Sequence, residues 1–268
     1  MQASNASFNQ DYAYFYDMFY EKKNYRHELD CIKKVLQTRK IELHGKRILE
    51  IGCGTGNFSV NIQPGNSLTA IDPSSEMIKI AKNKFTYMKS SFQHITIAEF
   101  NLLENCTEKF DVIILLFHVF SYLNMADIEE LKGLVEKHLD NKGILILDYW
   151  DLSGVSRTPP TITTKKITGK DSVIVRTATP LTIKKFDNYT EYSIEIVISE
   201  EKSDVLAAVC ASEIHYLRAY SSQFIDKIMN NLNCVENIDL LTGENYKGEN
   251  YGNCKFFVKY PCDIIEYD

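Results

Sequence analysis

Three alternating glycines, in the stretch LEIGCGTGN at residues 49–57, carry the clearest chemical signal in this chain. Gly52, Gly54 and Gly56 follow a short apolar run and lead into a segment with helical spacing. Glycine adopts positive φ and lets another molecule approach the backbone, and the free N–H groups at a helix start favour an anionic group. The order differs from the G-x-G-x-x-G fingerprint of dinucleotide sites. Glu50, two residues before the first glycine, disfavours a pyrophosphate and suits a ligand with an ammonium and a sulfonium group.

A second acid, Asp72, ends the next apolar run, SLTAI. A carboxylate at the end of a second strand can accept two hydrogen bonds from a ribose diol. The two acids and the glycines therefore predict a site for a nucleoside that carries positive charge.

The elements that must position these acids alternate between strands and helices up to residue 150. Strands are predicted at 46–51, 67–71, 94–100, 111–117 and 144–150, and helices at 74–84 and 126–139. The run DVIILLF is apolar on both faces, as central parallel strands are. This alternation predicts a parallel sheet with helices on both faces.

Residues 151–220 change to polar–apolar alternation with turn signals, which predicts an antiparallel meander of about four strands. A helix and two strands predicted within 221–268 complete the first sheet. We therefore interpret the meander as an insertion into one core made of residues 1–150 and 221–268.

The segment before residue 45 has a helical pattern and carries tyrosines at Tyr12, Tyr14, Tyr16, Tyr20 and Tyr25. Buried aromatics dominate packing, so the group is interpreted as core, with one or two rings left for a ligand site.

Composition excludes several classes of protein. The 268 residues carry 30 basic and 36 acidic side chains, which gives no electrostatic reason to expect nucleic acid. No run of about 18 apolar residues predicts a membrane span, and the start does not resemble a signal peptide. The 7 cysteines contain no CxxC, which favours reduced thiols in a cytoplasmic protein over disulfides or a metal site.

The stretches LEIGCGTGNFS, AIDPSSEMI and FDVIILLF together resemble class I S-adenosylmethionine-dependent methyltransferases over about residues 40–150. The alternative is a Rossmann domain for another nucleotide. The resemblance implies an α/β fold: a Rossmann-like seven-stranded core, with the meander as an inserted antiparallel sheet and the N-terminal segment as a helical cap. It also implies S-adenosylmethionine as cofactor.

The resemblance implies that Glu50 holds the methionine ammonium and that Asp72 binds the ribose. It also implies that Glu99 and Phe100 flank the adenine. Carried over by position, the cofactor site consists of Glu50, Gly52, Cys53, Gly54, Gly56, Asp72, Pro73, Met77, Glu99, Phe100, Leu116 and Phe117. Cys53 is interpreted as a small buried residue of the loop rather than a reactive thiol.

The stretches LFHVFSYL, YAYFYDMFYEKKNY and DYWDL resemble one branch of the family, which includes N-methyltransferases of nucleotide-linked deoxyamino sugars. In that branch the inserted sheet covers the active site. The resemblance implies Tyr20, His215 and Arg218 as substrate contacts. His118 is the leading candidate for a catalytic base, and Tyr122 and Tyr14 are second choices.

A structural role is the alternative for several of these residues. His118 can be a structural histidine at a strand end, and His215 and Arg218 can lie on an exposed strand face. A non-catalytic S-adenosylmethionine-binding protein with a partner-binding insertion is the alternative to an enzyme. A nucleic-acid methyltransferase is disfavoured because strand four lacks an Asn/Asp-Pro-Pro-Tyr/Phe tetrapeptide. We expect a small-molecule substrate, no nucleic acid, no membrane and no metal, and leave a homodimer open.

Overall fold

The computed structural model describes residues 8, 10–85, 90–103, 107–202, 205–248 and 251–259. Its helices are α1 (Gln10–Tyr20), α2 (Tyr25–Thr38), α3 (Ser59–Ile62), α4 (Ser75–Lys84), α5 (Ile97–Asn101), α6 (Val119–Tyr122), α7 (Met125–His138), α8 (Leu152–Arg157) and α9 (Ser222–Ile228). Its strands are β1 (Arg47–Ile51), β2 (Ser67–Asp72), β3 (Ser90–His94), β4 (Phe110–Leu115), β5 (Leu139–Asp151), β6 (Thr163–Thr168), β7 (Val173–Lys185), β8 (Tyr189–Lys202), β9 (Val205–Tyr220), β10 (Asn233–Ile238) and β11 (Gly252–Val258).

The core sheet has the order β3-β2-β1-β4-β5-β11-β10. Strands β1 to β5 pair in parallel, whereas β11 is antiparallel to β5 and β10 is antiparallel to β11. The predicted Rossmann-like, seven-stranded core is confirmed. Because the parallel strands end at one edge, Glu50, Asp72 and the residues after β4 come together there.

Two apolar layers cover the faces of this sheet. Ile48 and Ile114 point into one layer, whereas their neighbours Leu49 and Ile113 point into the other. All four side chains are fully buried. Strands buried on both faces lose the polar alternation of an open sheet, which is why the sequence pattern identified them.

Strands β6 to β9 form the antiparallel meander, here called the roof. The roof joins the core through β9, where only Trp150 with Ala219 and Asp151 with Tyr220 pair across β5. A third apolar cluster fills the space between the roof, α1 and the core, and includes Tyr12. After β9 the chain returns through α9 to β10 and β11.

The third strand was predicted at 94–100, and that prediction is wrong. Strand β3 ends at His94, and residues 97–101 form α5. Thr96 and Glu99 make a reciprocal capping box, in which the Glu99 carboxylate accepts from the Thr96 backbone N–H at 2.8 Å. The motif T-x-x-E is a helix-start signal, and it outweighs the β-branched residues that surround it.

Among the described residues, no helix is long and apolar enough to cross a membrane.

Candidate active site

The glycine loop after β1 combines a packed glycine with an open one. All three glycines have positive φ, of 73° at Gly52, 54° at Gly54 and 78° at Gly56. A Cβ at Gly52 would lie 2.4 Å from Val119, whereas a Cβ at Gly54 would meet nothing within 4 Å. Gly52 therefore lets α6 pack against the loop, and Gly54 leaves an open backbone surface at which a ligand can lie.

Two buried carboxylates flank this loop. Glu50 accepts a hydrogen bond of 2.5 Å from Ser59 Oγ, and burial raises the pKa of Glu50 to about 8. Asp72 accepts from the backbone N–H of Gly54 at 2.9 Å and of Ser74 at 2.8 Å. Burial raises the pKa of Asp72 to about 6, although these two hydrogen bonds lower it. Among the described residues no cation lies beside Glu50 to offset its burial, so it suits a ligand that brings a positive charge.

The N-terminal helix closes over the loop from the other side. Asp17 on α1 accepts from Thr55 Oγ1 at 2.5 Å and from Asn57 Nδ2 at 2.9 Å, and it pairs with Lys84 at 2.6 Å. The backbone of Phe8 also accepts from Ser74 Oγ at 2.8 Å, beside Asp72. Nothing in the sequence marked Asp17, because an acid in an aromatic helix carries no motif.

The turn after β4 is held in an unusual conformation. Phe117 and His118 both have positive φ, 64° and 66°, which non-glycine residues adopt at a cost. Asp148 on β5 holds the turn, because it accepts from the His118 backbone N–H at 2.8 Å. The same carboxylate lies 3.5 Å from His118 Nδ1.

This turn sets the charge of the His118 ring. Burial lowers the pKa of His118, and the nearby Asp148 charge only partly opposes that effect. The imidazole is therefore neutral near pH 7 and can accept a proton. Its side chain remains 37% exposed, and it lines a cavity.

A cavity of about 340 Å³ lies between this turn, α1 and the roof. Its lining comprises Phe8, Tyr12, Tyr16, Tyr20, Lys23, Phe117, His118, Tyr122, Trp150, Pro160, Thr161, Thr163, Arg176, Ala178, Pro180, Ile194, Ile196, Leu217 and Tyr251. Val119, the next residue after His118, packs on Gly52. Residues 117–119 thus connect the cavity to the glycine loop.

A buried chain of three polar side chains reaches this cavity from the roof. His215 Nε2 lies 3.0 Å from Glu213 Oε2, and His215 Nδ1 lies 3.0 Å from Tyr122 Oη. A carboxylate only accepts, so Nε2 donates to Glu213, and in the neutral imidazole Nδ1 accepts from the Tyr122 hydroxyl. Burial raises the pKa of Tyr122 well above its usual value, so the phenol keeps its proton. The free lone pairs of Tyr122 Oη can then accept from a ligand.

Residues 48–143 match the protein family described as "Methyltransferase domain". The malonyl-(acyl-carrier protein) O-methyltransferase of Bacillus cytotoxicus is 32% identical over 129 residues, which cover 47% of this chain and 41% of that protein. A methyltransferase of a Geobacillus species is 28% identical over 150 residues, which cover 52% of this chain and 56% of that protein. The chain thus spans about half the length of the curated relatives it matches. Residues 48–143 therefore carry a methyltransferase domain, in agreement with the resemblance seen in the sequence motifs.

Solved structures share the fold over nearly the whole length of this chain. An S-adenosylmethionine-dependent methyltransferase from Clostridium acetobutylicum has a TM-score of 0.68 and 19% identity, covering 91% of this chain and 96% of that chain. A sugar N-methyltransferase from Streptoalloteichus has a TM-score of 0.67 and 16% identity, covering 92% of this chain and 93% of that chain.

The site fits S-adenosylmethionine, the cofactor of this family. Glu50 is a buried acid suited to the ammonium group, and Asp72 is one suited to the ribose hydroxyls. The open face of Gly54 leaves room for the cofactor, since no atom lies within 4 Å of its missing Cβ. Cys53 contributes backbone only, because its side chain is buried and burial raises its thiol pKa well above the usual value.

The remaining predicted cofactor residues lie in different surroundings. Met77 is buried in the cluster beneath the roof, Leu116 is buried in the core, and Pro73 is exposed. Phe100 is 2% exposed and packs 6.5 Å from Phe110, which leaves no ring surface for an adenine.

The two residues predicted to flank the adenine are therefore corrected. Glu99 uses its carboxylate to cap α5, and Phe100 lies in the core. Because β3 ends at His94, Ile95 and Thr96 occupy the turn at the carboxyl end of that strand. The Ile95 N–H donates to the Asp72 carbonyl at 3.2 Å, which places this turn beside the ribose-binding acid.

The candidate base Tyr14 does not lie in the cavity. Its side chain is 72% exposed and contacts Phe15. Tyr12, Tyr16 and Tyr20, spaced four residues apart on α1, line the cavity instead. Residues at i, i+4 and i+8 share one face of a helix, and that spacing in the sequence could have separated these three from Tyr14.

His215 and Arg218 were predicted to act together, but the structure puts them on opposite faces of β9. Buried residues alternate along the strand, with His215 fully buried on the inner face. Arg218 lies on the other face and donates to the carbonyls of Tyr122 and Leu123, both at 3.2 Å, and to Glu191 at 2.7 Å. Side chains three apart on a strand point to opposite faces, so Arg218 fixes the end of α6 and does not line the cavity.

Proposed function

We propose that the protein transfers the methyl group of S-adenosylmethionine to an amine or hydroxyl of a small molecule held beneath the roof. The observation that carries the proposal is the turn at residues 117–119, which packs on the glycine loop through Val119 and lines the cavity with Phe117 and His118. Methyl transfer is an in-line displacement, so alignment of donor and acceptor supplies most of the rate. A shared turn is the simplest device for that alignment.

The cofactor supplies an electrophilic methyl group on its sulfonium. The residues of this chain bind and orient the acceptor, and they remove a proton from it. Neutral His118 is the leading proton acceptor, because it lines the cavity beside Asp148, whose charge stabilises an imidazolium. Tyr122 orients the acceptor by receiving a hydrogen bond at Oη, and the proton on that phenol is already directed to His215.

For the substrate, nucleotide-linked amino sugars are the finer candidate. The fold likeness to a sugar N-methyltransferase and the roofed cavity support this choice. The homodimer, the cytoplasmic location and the lack of a nucleic-acid partner stay predictions.

The test is transfer of tritiated methyl from S-adenosylmethionine to small amines and amino sugars. His118→Ala should lower turnover by about 10²–10⁴-fold, the usual contribution of a general base, and leave cofactor affinity nearly unchanged. His44→Ala is the matched control, since His44 is exposed and outside the site.

If cofactor binds with normal affinity and no acceptor is methylated, the non-catalytic alternative replaces this proposal. If His118→Ala retains full turnover, His118 is a structural residue and Tyr122 becomes the leading candidate.

A further inference from the structure

The cavity contains a buried positive charge that has no acidic partner in the part of the chain that the structure describes. Arg176 on β7 is 9% exposed and lines the cavity. Its Nε donates to Tyr12 Oη at 3.4 Å, and across the described ranges no carboxylate forms an ion pair with it. A buried charge without a counterion is costly, so the fold tolerates this guanidinium for a reason other than stability.

Further cations converge on the same place. Lys165 is paired with Arg176 in the β6–β7 ladder, and its Nζ lies 4.5 Å from the centre of the Tyr20 ring. Burial, and then the charges of Arg176 and Lys23, lower the pKa of Lys165. Lys23 also lines the cavity, where its charge is partly balanced by Glu28 at 3.2 Å. Arg176 and Lys165 together make the region around Arg176 electropositive.

The carboxylate on the inner face of β9 is engaged elsewhere. Glu213 accepts from the Phe8 backbone N–H at 2.7 Å and pairs with His215 at 3.0 Å. It supports the imidazole and the N-terminal segment, and it does not form an ion pair with Arg176.

We propose that Arg176 binds an anionic group, a carboxylate or a phosphate, on the methyl acceptor. The proposal rests on the proposed function, because it concerns the substrate of the same site. A guanidinium presents paired N–H donors that match both anions. Arg176 comes from the roof and His118 from the core, so the acceptor is held by its anion while its nucleophile faces His118.

The size of the cavity limits the part of the acceptor that it encloses. A volume of about 340 Å³ has room for roughly eleven water molecules at ~30 Å³ each, so it encloses the part of the acceptor that carries the anion and the nucleophile. Acceptors in which these two groups lie a few atoms apart, such as an amino acid or a phosphorylated amine, are therefore suitable probes.

The first test uses Trp150, which lines the cavity and is the only tryptophan of the chain. The protein saturated with S-adenosylhomocysteine is titrated with acetate or with inorganic phosphate at constant ionic strength, and tryptophan fluorescence is followed. We expect a saturable change with one of these anions, weakened at least about tenfold in Arg176→Gln. Lys166→Gln, which removes an exposed cation of the roof, should bind as the parent does. No saturable change with either anion, or equal affinity in Arg176→Gln, overturns the proposal.

The second test separates a binding role from a structural one and from cofactor binding. Arg176→Leu should raise the melting temperature of the ligand-free protein, because it removes a buried unpaired charge; a lower melting temperature contradicts the proposal. Arg176→Gln should keep its S-adenosylhomocysteine affinity within about twofold. A tenfold loss there would assign Arg176 to the cofactor carboxylate instead.

The third test compares ethanolamine, β-alanine and O-phosphoethanolamine as acceptors of tritiated methyl. We expect at least about tenfold preference for one anionic amine, abolished in Arg176→Gln. If none is methylated while the anion still binds at Arg176, the proposed function fails and the anion site stands. If all are methylated equally, the anion site fails and the proposed function stands.

Discussion

Replacing Glu50 by glutamine should stabilise the ligand-free protein at neutral and alkaline pH, and it should lower the affinity for the cofactor. Burial raises the pKa of Glu50 from an ordinary 4.5 to about 8. A carboxyl whose folded-state pKa is raised favours the folded state most at low pH, below the unfolded value. That contribution is lost as pH rises towards the folded value. Glutamine removes this titration and keeps the shape of the side chain and an acceptor for Ser59.

The magnitude follows from the interval between the two pKa values. Each pH unit between them lowers the free energy of unfolding by about 1.4 kcal/mol. Between pH 5 and pH 8 the parent should therefore lose on the order of 3 kcal/mol relative to Glu50→Gln. Comparing the two proteins at each pH cancels the groups that both share.

The assay is chemical denaturation at several pH values, with Glu42→Gln as a matched control because Glu42 is exposed. The difference between the parent and Glu50→Gln should grow with pH, whereas Glu42→Gln should follow the parent. Cofactor affinity of the parent should also rise from pH 6 to pH 8, since the ammonium needs an ionised Glu50. Denaturation curves for Glu50→Gln that run parallel to those of the parent across this range would refute the reasoning.

Two further variants test the loop. Asp72→Ala should weaken the binding of S-adenosylmethionine by ~1.5–3 kcal/mol, the usual value for hydrogen bonds to a charged group. Calorimetry measures this affinity, and an unchanged value would mean that Asp72 does not reach the ribose. Gly54→Ala should lower cofactor affinity because its Cβ enters the open face of the loop, whereas Gly45→Ala, which also has positive φ and open space, should cost similar stability and no affinity. Equal affinities of these two alanine variants would show that the open face of Gly54 is not the cofactor surface.

The sequence was sufficient for the core sheet apart from its third strand, and for the two acids at the edge of the sheet. Long apolar runs define parallel strands, and the glycine motif places Glu50 and Asp72 by their position alone. The third strand failed because Ile95 and Thr96 favour a strand locally, while the Thr96–Glu99 capping box starts a helix.

The cavity was less predictable, because it depends on contacts between distant segments. Helical spacing could have chosen Tyr12, Tyr16 and Tyr20 over Tyr14, and strand alternation could have separated Arg218 from His215. Nothing in the sequence marks Arg176, since an arginine on an amphipathic strand is ordinarily exposed. Its significance comes from burial without an acid, which only the packed roof and α1 reveal.

The most direct test of the account is a crystal structure with S-adenosylhomocysteine. We expect the ribose hydroxyls of S-adenosylhomocysteine to bind Asp72 and its amino group to lie towards Glu50, with its sulfur facing the cavity beside Phe117 and His118. S-adenosylhomocysteine bound away from the glycine loop, or with its sulfur turned away from that cavity, would contradict this assignment of the site.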